Sequence, residues 1–172
     1  MVRETAGTSG ISAARLPEAQ RRAGGREAVR RSSLGLSAAL LIQYALGLWV
    51  NMYVTVPARD QGGGLLAAAG RALANGPAAL AVHAGLGLVL LLGSIVLVIR
   101  AVADRATFFV VTSAVSLLAV LGAAGAGAAF VNSGQDGASL GMGLLTAVAL
   151  LCQVINLFRL SAPAAAAGRP GR

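Results

Sequence analysis

Charged residues are scarce in this sequence, and their scarcity defines the class of protein. Only 12% of the 172 residues are charged, whereas 56% are hydrophobic. This composition excludes a soluble globular enzyme, because the whole surface of such a protein would have to contact water. Lysine is absent, so the formal net charge of +8 comes from 14 arginines set against six acidic residues.

Cysteine, histidine and aromatic residues are also few. The lone cysteine, Cys152, excludes a disulfide within the chain. One histidine and one cysteine cannot supply a four-ligand metal site, so we expect no metal. No aromatic or folded reading element accompanies the arginines, and we therefore expect no specific nucleic-acid binding.

Four long segments carry no charged residue at all. Each contains the run of about 20 apolar residues that a helix needs to cross roughly 30 Å of hydrocarbon. The connections between the last three are only about six residues long, which makes those helices antiparallel neighbours. We therefore predict an all-α membrane protein, an antiparallel up-down bundle of four transmembrane helices at about residues 33–56, 78–99, 107–131 and 138–160.

The segments outside these spans have a different composition. Residues 1–32 are rich in arginine and poor in apolar residues, so we expect a disordered cytoplasmic segment, to which residues 26–31 could add one helical turn. Residues 161–172 are expected to form a disordered tail. The long first loop contains Leu65, Leu66, Ala69 and Leu73 at helical spacing, which fits either a short interfacial helix or a flexible loop.

The distribution of arginines predicts the orientation. Twelve arginines fall on the side of the two termini and two, Arg59 and Arg71, on the other side. The positive-inside rule then predicts that both termini lie in the cytoplasm. The expected location is the cell (inner) membrane. Trp49 and Tyr53 approach the outer boundary of the first span. We expect the bilayer itself, and anionic lipid headgroups at the arginine-rich N-terminus, to be partners.

No Asp, Glu or Lys lies inside a predicted span, and the one Arg is Arg159, next to the end of the fourth span; this removes the usual parts of proton relays and voltage sensors. The remaining polar side chains form two predicted groups. In the outer half, we expect an intramembrane cluster at similar depth, with Gln43 on the same helix face as Gly47 and Asn51. Its members are Asn51, His83, Asn132, Gln135 and Gln43. Nearer the cytoplasm, Gln153 and Asn156 form an inner polar patch.

Two interpretations of His83 follow from its surroundings. It could supply one axial ligand to a haem, or it could form a hydrogen bond between helices, which is the more frequent role of such a residue in membranes. Cys152 is interpreted as a small buried side chain of the fourth helix. Small residues at four-residue spacing in the second and third spans predict close helix packing, within one bundle or between subunits.

Three parts of the sequence carry a resemblance. The run from Gln43 through Trp49 and Asn51 to Pro57, the segment from His83 to Gly87, and the segment from Asn132 to Asp136 resemble a group of uncharacterised bacterial membrane proteins with four spans. The histidine that opens an apolar, Leu/Gly-rich helix is more faintly similar to the four-helix halves of haem A synthase and to cytochrome b561-type bundles. That second resemblance implies haem as a cofactor.

These observations lead to three functional hypotheses. The first is a non-enzymatic structural, accessory or partner-binding subunit of the inner membrane, without a cofactor, associating with a second copy or with another membrane subunit. The second is a haem- or quinone-associated redox membrane protein that uses His83. The third is a small-solute transporter or channel that uses Asn51, His83 and the Gln43 face.

Overall fold

The computed structural model describes residues 10–54, 63–133 and 136–161, and these residues are almost entirely helical. Four of the helices are long and apolar enough to cross a membrane. The shortest of these four has 26 residues, about 39 Å at 1.5 Å per residue, which exceeds the hydrocarbon thickness. The helices are α1 (Gly10–Tyr53), α2 (Gly64–Ala74), α3 (Ala78–Ala103), α4 (Thr107–Ser133) and α5 (Asp136–Ser161).

The helix boundaries agree with the predicted spans except at the N-terminus. Helices α3 and α4 begin at the predicted residues, Ala78 and Thr107. Helices α3, α4 and α5 end four, two and one residues beyond their predicted spans, and α1 ends at Tyr53, three residues before its predicted end. Helix α1 begins at Gly10, so the expectation of disorder is wrong over residues 10–32. Residues 1–9 and 162–172, where disorder was also expected, lie outside the described residues.

The helical N-terminal extension has a local physical cause. The Glu27 carboxylate forms ion pairs with Arg30 and Arg31, which lie three and four residues further along the helix. The N···O distances are 3.3 Å to Arg30 and 2.8 Å to Arg31. Such pairs stabilise a helix, and extending a helix that already exists avoids the cost of nucleation. The extension also contacts α3, where the Arg100 guanidinium donates to the Ser32 hydroxyl.

Close contacts between α1 and α3 occur in opposite order along the two helices. A Cβ placed on Gly25 would lie 2.6 Å from Asp104 Oδ1, and one placed on Gly93 would lie 2.9 Å from the side chain of Leu36. Contacts between α4 and α5 show the same reversal, from Gly127 with Met142 to Gly122 with Leu145. In the described part of the chain, α1 and α4 each pack against both α3 and α5.

Helix α2 lies against the ends of its neighbours. Buried Ala72 forms a small apolar cluster with Val50 of α1 and Leu80 of α3. Of the two readings of the first loop, the structure therefore supports a short helix over residues 64–74. The helix starts at Gly63 and Gly64, whose φ angles of 87° and 79° lie in the left-handed region that favours glycine.

The distribution of polar and apolar side chains is the reverse of that in a soluble protein. Leu118 and Phe158 are 67% and 78% exposed, whereas Gln153 and Asn156 are completely buried. A soluble protein rarely leaves so many large apolar side chains on its surface. Lipid is the solvent that this surface fits.

Candidate functional site

The Gln43 side chain of α1 makes two polar contacts with His83 of α3. The Gln43 side-chain amide donates to the His83 backbone carbonyl at 3.0 Å. The same nitrogen lies 3.2 Å from His83 Nε2. The neutral imidazole accepts at Nε2 when its proton is on Nδ1, so one amide group can make both bonds. Gln43 thereby fixes both the backbone and the ring of His83.

Each member of this pair lies against a glycine of the other helix. A Cβ on Gly47 would be 3.1 Å from His83 Cε1, and a Cβ on Gly87 would be 3.3 Å from Gln43 Nε2. Gln43 and Gly47 are four residues apart on α1, and His83 and Gly87 are four residues apart on α3. We call this arrangement of Gln43, Gly47, His83 and Gly87 the reciprocal lock. Glycine at both positions allows the helices to approach closely enough for the hydrogen bonds to form.

The reciprocal lock leaves two polar atoms without a hydrogen-bond partner among the described residues. Gln43 Oε1 and His83 Nδ1 are both buried. One is an acceptor and the other, in the tautomer that accepts at Nε2, is a donor. The pair is therefore a strong connection between α1 and α3 with some unused hydrogen-bonding capacity.

The other members of the predicted outer cluster have different neighbours. Asn51 Oδ1 accepts a hydrogen bond from the Ser139 hydroxyl of α5 at 2.9 Å. Asn132 Oδ1 is buried and has no hydrogen-bond partner within the described residues. Gln135 lies outside the described residues. The recorded hydrogen bonds thus link Asn51 to α5 and His83 to α1, and do not join Asn51 to His83.

The inner polar patch bonds to hydroxyls of α4. Gln153 Nε2 donates to the Ser116 hydroxyl at 2.7 Å, and the Thr112 hydroxyl donates to Asn156 Oδ1. The sequence analysis identified the two amides but missed Thr112, Ser116 and Ser139. A four-residue spacing of Thr112 and Ser116 was the available signal, since it places both hydroxyls on one face of α4. Cys152 is buried next to this patch on α5, as predicted.

The surroundings of His83 do not fit an axial haem ligand. Its Nε2 atom faces the Gln43 amide at 3.2 Å, and its ring edge faces the backbone of Gly47. Ligation through Nε2 would require Gln43 to leave, and the chain has no second histidine for the opposite axial position. Within residues 10–54, 63–133 and 136–161, no group of three His, Cys, Asp or Glu side chains is placed to hold a metal ion.

Comparisons with known proteins assign no activity to this site. No family model matches the chain, and no curated protein or solved structure shows a significant similarity to it.

Proposed function

We propose that this chain is a non-enzymatic structural or partner-binding subunit of a bacterial inner membrane. In this proposal the four span-capable helices form an antiparallel up-down bundle, with both termini in the cytoplasm. The apolar outer surface contacts lipid, and the interior polar groups hold the helices together. The chain contributes a stable membrane-embedded body with which a second copy or another membrane subunit associates.

Two independent features support the orientation. Helix contacts in reversed order, such as Gly25 with Asp104 and Gly47 with His83, are what antiparallel neighbours produce. Arg100 lies in the last turn of α3 and bonds to Ser32 of the N-terminal extension, and Arg105 follows in the turn to α4. A concentration of arginines on one side is the arrangement that the positive-inside rule associates with the cytoplasm.

The single observation that carries the structural role is the reciprocal lock. A transport pathway or a cofactor pocket needs polar groups that face open space, whereas the Gln43 amide and His83 Nε2 face each other. Glycines on both helices bring the backbones together at this level. Of the two interpretations of His83, a haem ligand or a hydrogen bond between helices, these contacts support the second.

We also propose anionic lipid as a partner of the N-terminal extension. Exposed Arg26, Arg30 and Arg31 lie close to the start of the membrane span, where each arginine near an anionic surface contributes about 1 kcal/mol of attraction. Glu27 pairs with two of them and so offsets only part of their charge. Binding to vesicles with and without anionic lipid measures this contribution.

One experiment on the intact protein separates the three functional hypotheses. Wild type and His83→Leu are purified from the native membrane in mild detergent, and the visible absorption spectrum and the free energy of unfolding are measured for both. Solute flux is measured in proteoliposomes with the same two proteins. Asn51→Leu serves as a second variant in the flux assay.

A structural role predicts that His83→Leu lowers the free energy of unfolding and that neither protein shows a Soret band or solute flux. A Soret band in the wild type that His83→Leu abolishes would contradict the proposal in favour of haem. If the wild type shows solute flux and both variants lose it while they remain folded, the proposal is contradicted and transport is favoured.

A further inference from the structure

A set of buried polar side chains lies at one level of the bundle, about two to three helical turns from the reciprocal lock along α1 and α3. All four long helices contribute to it, and its members are at most 2% exposed. We call this set the polar layer; it consists of Ser33 of α1, Ser94 of α3, Ser113 and Ser116 of α4, and Gln153 and Asn156 of α5.

These residues lie at a common depth. Ser94 precedes the end of α3 at Ala103 by about 13.5 Å along the helix, and Ser116 follows the start of α4 at Thr107 by about 13.5 Å. The bond from Gln153 to Ser116 brings α5 to the same level. On α1, Ser33 lies about one helical turn before Leu36. Leu36 contacts Gly93 of α3, the residue next to Ser94.

Buried or half-buried apolar residues enclose the polar layer on both sides. On every helix the polar residues are flanked by apolar side chains one to two turns away in each direction. The flanking residues are Val29 and Leu40 on α1, Leu90 and Leu97 on α3, Phe109 and Val120 on α4, and Ala149 and Leu160 on α5. Along each of the four long helices, the layer is therefore bounded by apolar side chains in both directions.

Four polar atoms of the layer have no hydrogen-bond partner among the described residues. They are Ser33 Oγ, Ser113 Oγ, Gln153 Oε1 and Asn156 Nδ2, and the residues that carry them are completely buried. A buried polar atom without a partner destabilises the folded state, because it has lost its hydrogen bonds to water. The hydroxyls can donate and accept, the carbonyl oxygen accepts and the amide nitrogen donates.

We infer that the polar layer is a binding site for internal water molecules. An internal water forms about three hydrogen bonds to buried polar groups that otherwise have none, which matches this mixture of donors and acceptors. The layer contains no ionisable side chain, so it offers no charge to balance an ion. The apolar residues on both sides hold the water within the membrane region.

Magnetisation transfer from water to side-chain amides tests this inference by NMR. The full-length protein is placed in lipid nanodiscs, and transfer is measured at the side-chain amides of Asn156 and Gln153. The exposed Gln20 amide is the positive control, and the backbone amide of buried Leu90 is the negative control. We expect transfer at Asn156 and Gln153, and none at Leu90.

Two variants distinguish bound water from relay through a neighbouring hydroxyl. Thr112→Val removes the hydroxyl that contacts Asn156, and Ser116→Ala removes the one that contacts Gln153. Bound water predicts that transfer persists at the corresponding amide in whichever variant folds. Loss of transfer there would overturn the inference, and so would its absence at both amides of the wild type while Gln20 shows it. If neither amide of the wild type shows transfer, the hydroxyls of Ser33 and Ser113 would instead donate to backbone carbonyls of their own helices.

Discussion

Replacing Gln43 with methionine is the most informative perturbation of the reciprocal lock. Methionine keeps the length of the side chain and removes both bonds to His83, at 3.0 and 3.2 Å. Hydrogen bonds between membrane helices are worth about 0.6 kcal/mol on average and up to about 1.7. The change also leaves His83 Nε2 buried without a partner. We expect Gln43→Met to lower the free energy of unfolding by about 1 to 3 kcal/mol.

A double-mutant cycle with His83→Leu isolates the part of this loss that belongs to the pair. Reversible unfolding in mixed micelles gives the free energies of the wild type, both single variants and the double variant. The account predicts a coupling energy of about 0.6 to 1.7 kcal/mol. Gln20→Met is the matched control, because Gln20 is exposed on the same helix. A coupling below about 0.3 kcal/mol would refute the pairing, because independent sites add within that range.

Three further predictions use the same unfolding assay. Gly47→Ala is expected to be less stable than Gly35→Ala by about 1 to 3 kcal/mol, since a Cβ meets the histidine ring at the first position and open space at the second; equal stabilities would contradict the close approach. Gly24→Ala is expected to stabilise α1 by about 0.5 to 1 kcal/mol, because a Cβ there meets open space. Gly25→Ala is expected to give no such stabilisation, because its Cβ would lie 2.6 Å from Asp104 Oδ1. Arg105→Gly is expected to raise the free energy of unfolding by about 1 kcal/mol, because the arginine has φ 53°; a decrease would argue against that backbone conformation.

The membrane spans could be predicted from the sequence because lipid imposes a strong constraint on composition. A stretch without charges that is long enough to cross the hydrocarbon has few alternatives to a helix, and α3 and α4 begin at the predicted residues. The N-terminal extension of α1 was missed because low apolar content was interpreted as disorder. The ion pairs of Glu27 and the helix already present downstream favour continued helix there.

Several interior polar side chains could be identified from the sequence, but their hydrogen-bond partners could not. Helical spacing showed that Gln43 and Gly47 share a face, and similar depth placed Asn51 near His83. Depth alone does not determine which neighbour a side chain meets, because rotation of each helix about its axis is set by packing. The structure turns Asn51 towards Ser139 and brings Gln43 to His83.

Cysteine labelling in intact cells is the decisive test of the proposed bundle of four membrane-spanning helices with both termini in the cytoplasm. On a Cys152→Ala background, Asn75→Cys marks the turn before α3, and Ala103→Cys marks the end of α3; both positions are exposed. A membrane-impermeant maleimide is predicted to label position 75 from outside, and position 103 only after the membrane is opened. Labelling of both positions from outside, or extraction of the protein by alkaline carbonate without detergent, would contradict the claim.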